Sequence, residues 1–248
     1  MNINTKKTGI TLIEMTVVTA AVVLLAAFAL PAARQLFSSM TTESSARAMI
    51  GAALSSARAI AIKEHRYAGL RFQKAGSLDD PLNAPQYVIF IEHRPKGEIG
   101  YANGFRAVEG LEPIKLPEGV GVMEIVSGDG QIDDDEKLIT STTFSIVFSP
   151  SGKLITHEVR VRNRDGKKDG TSLDDIFNTK DKVAGGLSMF VQDAKDSEPL
   201  QQESSKNGFL VYDRNKLKKQ ESTLRHTDYL QFVESLSINP YTGRIIER

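Results

Sequence analysis

The chain has 248 residues, 31 Lys and Arg against 31 Asp and Glu, and no cysteine. Zero formal net charge excludes a global basic field for nucleic acid and an acidic solvating tail. Without cysteine there are no disulfides, thiolate metal sites or thiol catalysis, and the length suits one sizeable domain or two small ones.

Met1–Gly9 is short and polar and carries Lys6 and Lys7. Ile10–Leu30 follows, 21 residues with a single charge, Glu14. At about 1.5 Å per residue it spans roughly 30 Å, the thickness of a hydrocarbon core. The two lysines put the N-terminus in the cytoplasm and everything after Pro31 on the far side. A cleaved secretory signal with Ala27-Phe28-Ala29 as its processing site is one alternative, and a plain anchor is another. Neither uses Glu14, and a carboxylate within an apolar span costs about 2.5–3.5 kcal/mol at the helix centre unless it finds a partner.

Past Pro31, apolar residues recur at Ala46, Ile50, Ala53, Leu54, Ala57, Ile60 and Ala61, one face of a helix. The spacing predicts one helix from Ile10 to about Lys63, roughly 80 Å long and kinked at Pro31. Its first half is apolar all round and its second half is amphipathic. From Arg66 the period changes to 2. Tyr67–Gln73 and Gln86–His93 read as strands, and Phe144–Phe148 turns through Ser149-Pro150-Ser151-Gly152 into Lys153–Val161 as a hairpin. Gly186–Gln192 and Phe209–Tyr212 read as another pair of strands, and Leu236–Ile246 as strand, turn and short strand.

The string Thr8-Gly9-Ile10-Thr11-Leu12-Ile13-Glu14-Met15-Thr16-Val17-Val18 resembles the class III signal of type IV pilins and type II secretion pseudopilins. In that family a short basic leader ends in Gly, followed by an apolar residue, Thr-Leu-x-Glu and a long apolar helix. Most members have Phe where this chain has Ile10. The resemblance implies cleavage between Gly9 and Ile10 by prepilin peptidase, and N-methylation of Ile10. It implies that Glu14 neutralises the α-amine of a neighbouring subunit, and that Pro31 is a helix kink. The Ala-rich helix running into "ARAIAIKEHRYAGLRF", the "FSPSG" turn and the terminal "NPYTGR" are most similar to the H-type minor pseudopilins and related minor pilins.

The expectation is therefore an α+β fold, a long N-terminal helix packed on antiparallel β-sheets. Its parts are a leader (1–9), an assembly and membrane half-helix (10–30), an amphipathic half-helix (31–65) and a β-rich periplasmic domain (66–248). The implied function is structural rather than enzymatic, with no obligatory cofactor. The partners would be other pseudopilins or pilins, the peptidase and an inner-membrane assembly platform, with no nucleic acid. The location would be the bacterial inner membrane. A minor pilin of a type IV pilus is the neighbouring reading. A signal-bearing periplasmic enzyme or binding domain is the reading from another class.

Ser127–Glu136 is the densest carboxylate cluster. Asp129, Asp133 and Glu136 fall at positions 5, 9 and 12 of an EF-hand loop, but Ile125 and Ser127 occupy positions 1 and 3. It reads as a solvated loop, with weak Ca²⁺ binding through Asp129, Asp133, Asp135 and Glu136 as the alternative. Asn163–Asp175 reads as turn chemistry. His65, His93, His157 and His226 show no metal-binding spacing, and no P-loop, GxGxxG or G-x-S-x-G occurs. Arg214 with Lys216–Lys219 reads as a solvated strand edge.

Overall fold

The computed structural model describes residues 15, 17–18, 42–76, 80–94, 104–125, 132–167, 170–193 and 203–246. The chain divides into two units, Met1–Thr41 and Thr42–Arg248. In the first, Met15, Val17 and Val18 are helical and exposed.

The second unit opens with helix α1, residues 42–63. Ala46, Ile50, Ala53, Leu54, Ala57 and Ala61 are buried, the face that periodicity predicts, and Ile60 is partly buried against them. The helix stops in a Schellman-like turn. Arg66 N–H reaches Ala61 O at 3.3 Å and His65 takes a left-handed φ of 52°, a position usually given to glycine because a Cβ is strained there.

Among the described residues fourteen strands follow. The main sheet holds β1 (Ala68–Lys74), β2 (Gln86–His93), β3 (Gly104–Ala107), β4 (Ile114–Lys115), β6 (Phe144–Phe148), β7 (Leu154–Ile155), β8 (Glu158–Val161) and β11 (Glu203–Ser204). Its order is β11-β8-β3-β2-β1-β6-β7, with β4 pairing β2. A second sheet has the order β14-β13-β12-β5, from β5 (Val120–Glu124), β12 (Gly208–Asp213), β13 (Ser235–Ile238) and β14 (Ile245–Ile246). A short ribbon pairs β9 (Phe177–Asn178) with β10 (Phe190–Val191). The other α-helices among the described residues are α2 (Asp135–Thr142), α3 (Lys180–Ala184), α4 (Arg214–Lys218) and α5 (Arg225–Asp228).

The expected fold class is corrected here. Among the described residues the structure is mostly β, and the longest helix is the 22-residue α1; apart from Met15, Val17 and Val18, the expected rod from Ile10 to Thr41 lies outside the described residues. The main sheet is mixed rather than antiparallel, because β3 and β8 run parallel. The connection explains this. Only Thr156 and His157 separate β7 from β8, yet five strand spacings lie between them in the sheet. Laid flat, those spacings would cover roughly 24 Å, whereas two linking residues reach about 10 Å. The sheet must therefore curl until its edges approach, and β8 enters beside β3 in the parallel sense. Segment 186–192 also departs from expectation. Only Phe190–Val191 is strand, and it pairs with β9, while Phe209–Tyr212 lies between β5 and β13.

The curl gives the sheet two buried faces. On the outer face Leu70, Phe72, Val88, Phe90, Phe144, Ile146 and Phe148 meet α1, joined by Val122, Phe209, Val211, Leu236 and Ile238 of the second sheet. Phe72 stacks on Phe144 at 4.7 Å between ring centroids. On the inner face Ile89, Ile91, Phe105, Val147, Val159, Val161, Phe177 and Phe190 form a second core. A third, smaller core lies under α2 and α4, around Met123, Leu138, Leu210 and Leu217.

Candidate functional site

Gly9, Ile10, Glu14 and Pro31 lie outside the described residues. Among the described residues, no helix is long and apolar enough to cross a membrane.

The acidic segment is described only from Ile132, and Asp129 lies outside the described residues. Asp134 is the N-cap of α2, its carboxylate accepting from Lys137 N at 2.7 Å. Asp133 pairs with the Lys137 ammonium at 2.6 Å, and that bond holds its carboxyl below the usual range. Asp135 accepts from Arg225 at 3.4 Å, and Glu136 sits in the first helical turn. These carboxylates start and anchor a helix. Among the described residues, no group of three or more His, Asp or Glu is placed to hold a metal ion.

The other Asp-Gly loop is turn chemistry of the same kind. Asp174 accepts from Arg164 Nε at 3.1 Å and Ile176 N at 2.9 Å, and Asp165 accepts from Lys167 N at 3.2 Å. The basic cluster is a short helix and not the expected strand edge, and it divides. Arg214 is buried and donates to Ala84 O at 2.9 Å and to Leu82 O at 2.6 Å, so it ties the 80s loop to α4. Lys216 and Lys218 sit in the last turn of α4, where the helix dipole favours cations.

The two turn motifs converge on α1. In "FSPSG", Gly152 takes a φ of 76° and its carbonyl accepts from Arg58 Nε at 2.8 Å. In "NPYTGR", Gly243 takes a φ of 71°, and a Cβ there would meet Arg58 Cδ and the Phe148 ring at 3.2 Å. Pro240 O accepts from Leu154 N at 2.8 Å, so the two turns are also joined directly.

Sequence reasoning missed a polar network on the inner face. Arg71 is 3% exposed and donates to Glu203 at 2.7 Å and to Asp193 at 2.8 Å. Its guanidinium also reaches Ser145 Oγ and Gln73 Oε1 at 3.3 Å. Asp193 in turn accepts from Val161 N at 2.6 Å. Burial pushes the Glu203 carboxyl up to about 7 against the pull of Arg71. The only hint in the sequence was an Arg at an inward position of an alternating strand. Lys74 is also buried, at 3% exposure. Its ammonium donates to Pro81 O, and burial, helped by nearby Arg214, lowers its pKa to about 7.

Also missed was a set of four rings at the mouth of the curl. Strand register puts Tyr67, His93 and Phe105 in one row. His93 N donates to Tyr67 O at 2.8 Å, and His93 faces Phe105 across β2 and β3. The two-residue link into β8 brings His157 onto that row, 4.5 Å from Tyr67, 5.7 Å from Phe105 and 6.0 Å from His93 between ring centroids. Phe105 is buried, while Tyr67, His93 and His157 are half-buried. Residues 93 and 157 are 64 positions apart, and no spacing rule joins them. His65 and His226 belong elsewhere, the first in the turn after α1 and the second in α5.

No family model, curated protein or solved structure matches this chain.

Proposed function

We propose that this chain is a minor pseudopilin of a type II secretion system, a structural subunit that joins a filament through its N-terminal segment. The observation that carries the reading is the register of Gly9, Thr11, Leu12 and Glu14 with the apolar run to Leu30. Leader, glycine, glutamate and span occur together at the spacing that prepilin processing requires. The exposed helical Met15, Val17 and Val18 support it, since helix is the conformation an assembly segment needs.

In this reading prepilin peptidase cleaves between Gly9 and Ile10 and methylates Ile10. The partners are other pseudopilins and the inner-membrane assembly platform, and the β-rich unit faces the periplasm. Glu14 pairs with the terminal amine of the next subunit. In hydrocarbon either charge alone is costly, and together they strengthen as the dielectric falls, so pairing favours one register of insertion. The "FSPSG" and "NPYTGR" turns incline the choice toward the H-type minor subunits.

The test is the N-terminal residue of the protein, by intact-mass and peptide mass spectrometry, from a host that expresses its prepilin peptidase. Methylated Ile10 is expected. A terminus at Leu30, or an intact Gly9–Ile10 bond, overturns the reading. Glu14→Ala is expected to insert in the membrane and yet be depleted from purified filaments. Equal incorporation would sink the pairing argument. Rescue of exoprotein secretion, rather than of surface piliation, in a deletion strain is expected, and the reverse would make the chain a type IV minor pilin.

A further inference from the structure

We infer that His93 and His157 form a binding site for one divalent transition ion of the Cu²⁺ or Zn²⁺ class at the open end of the curled sheet. The inference is independent of the filament reading. Three observations carry it. First, the tautomer of His157 is set by chemistry. Its Nδ1 lies 2.6 Å from the Glu158 carbonyl oxygen, which can only accept. Nδ1 is therefore the donor, and in the neutral ring Nε2 carries the lone pair. That is the arrangement metal-binding histidines share, with the other ring nitrogen oriented by a backbone carbonyl.

Second, the spacing suits one shared ion. Two imidazoles bound through nitrogens 2.0–2.1 Å from a metal have ring centroids about 5.2 Å apart at a tetrahedral angle and about 6.4 Å apart when trans, and these lie between the two limits, 6.0 Å apart at an interplanar angle of 61°. Third, the rings are fixed before an ion arrives. Tyr67 and Phe105 pack against His157, and Tyr67 and Phe105 also meet His93 edge-on at 5.9 and 5.4 Å. His157 is held at the backbone as well, its N–H donating to Ser205 Oγ at 2.9 Å and its carbonyl accepting from Ser205 N at 2.8 Å. A half-buried rim lets an ion enter and leaves water to fill the remaining positions. Imidazole selects Cu²⁺, Zn²⁺ and Ni²⁺ over Ca²⁺ and Mg²⁺, which require oxygen ligands.

The experiment titrates the full chain with CuCl₂ alone, followed by electron paramagnetic resonance and calorimetry, and compares His93→Gln, His157→Gln and a His65→Gln/His226→Gln control. The expected result is one equivalent of Cu²⁺ with nitrogen hyperfine structure from two imidazoles. Either single variant should weaken it by about tenfold or more, and the control should leave it unchanged. Cu²⁺ bound equally well by both single variants, or no more tightly by wild type than by them, overturns the site. Should a variant lose its fold, long-range ¹H–¹⁵N spectra of the wild-type chain decide instead. They should show His157 protonated at Nδ1 without metal, and Zn²⁺ should shift the His93 and His157 rings before those of His65 and His226. A metal-free His157 protonated at Nε2, or rings that Zn²⁺ leaves unshifted, refutes it.

Discussion

The two faces of the curled sheet are built by different rules. The outer face is apolar where α1 covers it, with buried Lys74, Gln86 and Glu92 at the strand ends. β1 supplies Ala68, Leu70 and Phe72, and one regular helix covers them. The inner face mixes an aliphatic and aromatic core with a buried guanidinium and its two carboxylates. Its cover comes from short strands, a two-residue link and loops. A strand alternates sides, so both faces are written in the same seven residues of β1. Only the outer one faces an element with a period of its own.

The largest difference should appear on truncation. Phe72→Ala removes a ring stacked on Phe144 and 6.0 Å from Phe209. It should cost about 3–5 kcal/mol, the range for a buried aromatic in a packed core. Urea unfolding checks this, and a loss below about 1 kcal/mol would mean the outer face repacks freely. On the inner face, Arg71→Met leaves Glu203 and Asp193 without their cation. Breaking a buried pair costs about 3–5 kcal/mol, and the partial exposure of the carboxylates, 24% and 15%, puts the expected value near the lower end. The comparison sharpens with Arg71→Met/Glu203→Met. An apolar replacement should recover part of the loss, because the orphaned charge and not the missing bond dominates it. If the double variant is less stable than the single one, the ion pair itself is the larger contribution.

A smaller effect separates the faces by pH. Glu203 binds its proton more tightly in the folded chain, with a pKa of about 7 against an ordinary 4.5. Stability contributed by its protonated form is present below 4.5 and is lost as pH rises toward 7. Lys74 is the opposite case, at about 7 against an ordinary 10.5. The unfolded chain holds that proton more tightly, so stability rises between pH 7 and 10.5. These two groups together predict a shallow stability minimum near neutrality. Glu203→Gln should flatten the acid side and Lys74→Met the alkaline side, as read by thermal melts across pH. A wild-type maximum at pH 7 that neither variant alters would remove both assignments.

What was legible in the sequence follows the same division. The buried stripe of α1 was readable because Ala46, Ile50, Leu54 and Ala57 repeat at helical spacing, and β1, β2 and β6 because they alternate. The turns at Gly152 and Gly243 were readable from Pro, Asn and Gly placement, but Lys153–Val161 is not one return strand: only Leu154–Ile155 pairs with β6, while Glu158–Val161 pairs with β3 and β11. The parallel pairing of β3 with β8 had no local signal, since it follows from the curl of the whole sheet. β9 and β10 are two residues each, too short to show a period. The meeting of His93 with His157, and of Arg71 with Glu203, depends on register across strands that sequence order does not reveal. Asp133 and Asp135 were noticed as charges, and their use at the start of α2 is the commoner fate of carboxylates just before a helix.

The contacts of α1 also set a timetable. Arg47 is paired with Glu234, 187 residues later, and Gly51 lies beside Ile245 and Arg58 beside Gly243. The apolar stripe of the helix is therefore synthesised long before the strands that cover its far side. At about 5–20 residues per second, it waits roughly 10 to 40 s for them. During that interval an amphipathic helix stands uncovered next to a growing chain. The exposure of the stripe is thus a feature of its biogenesis and is lost in its finished state.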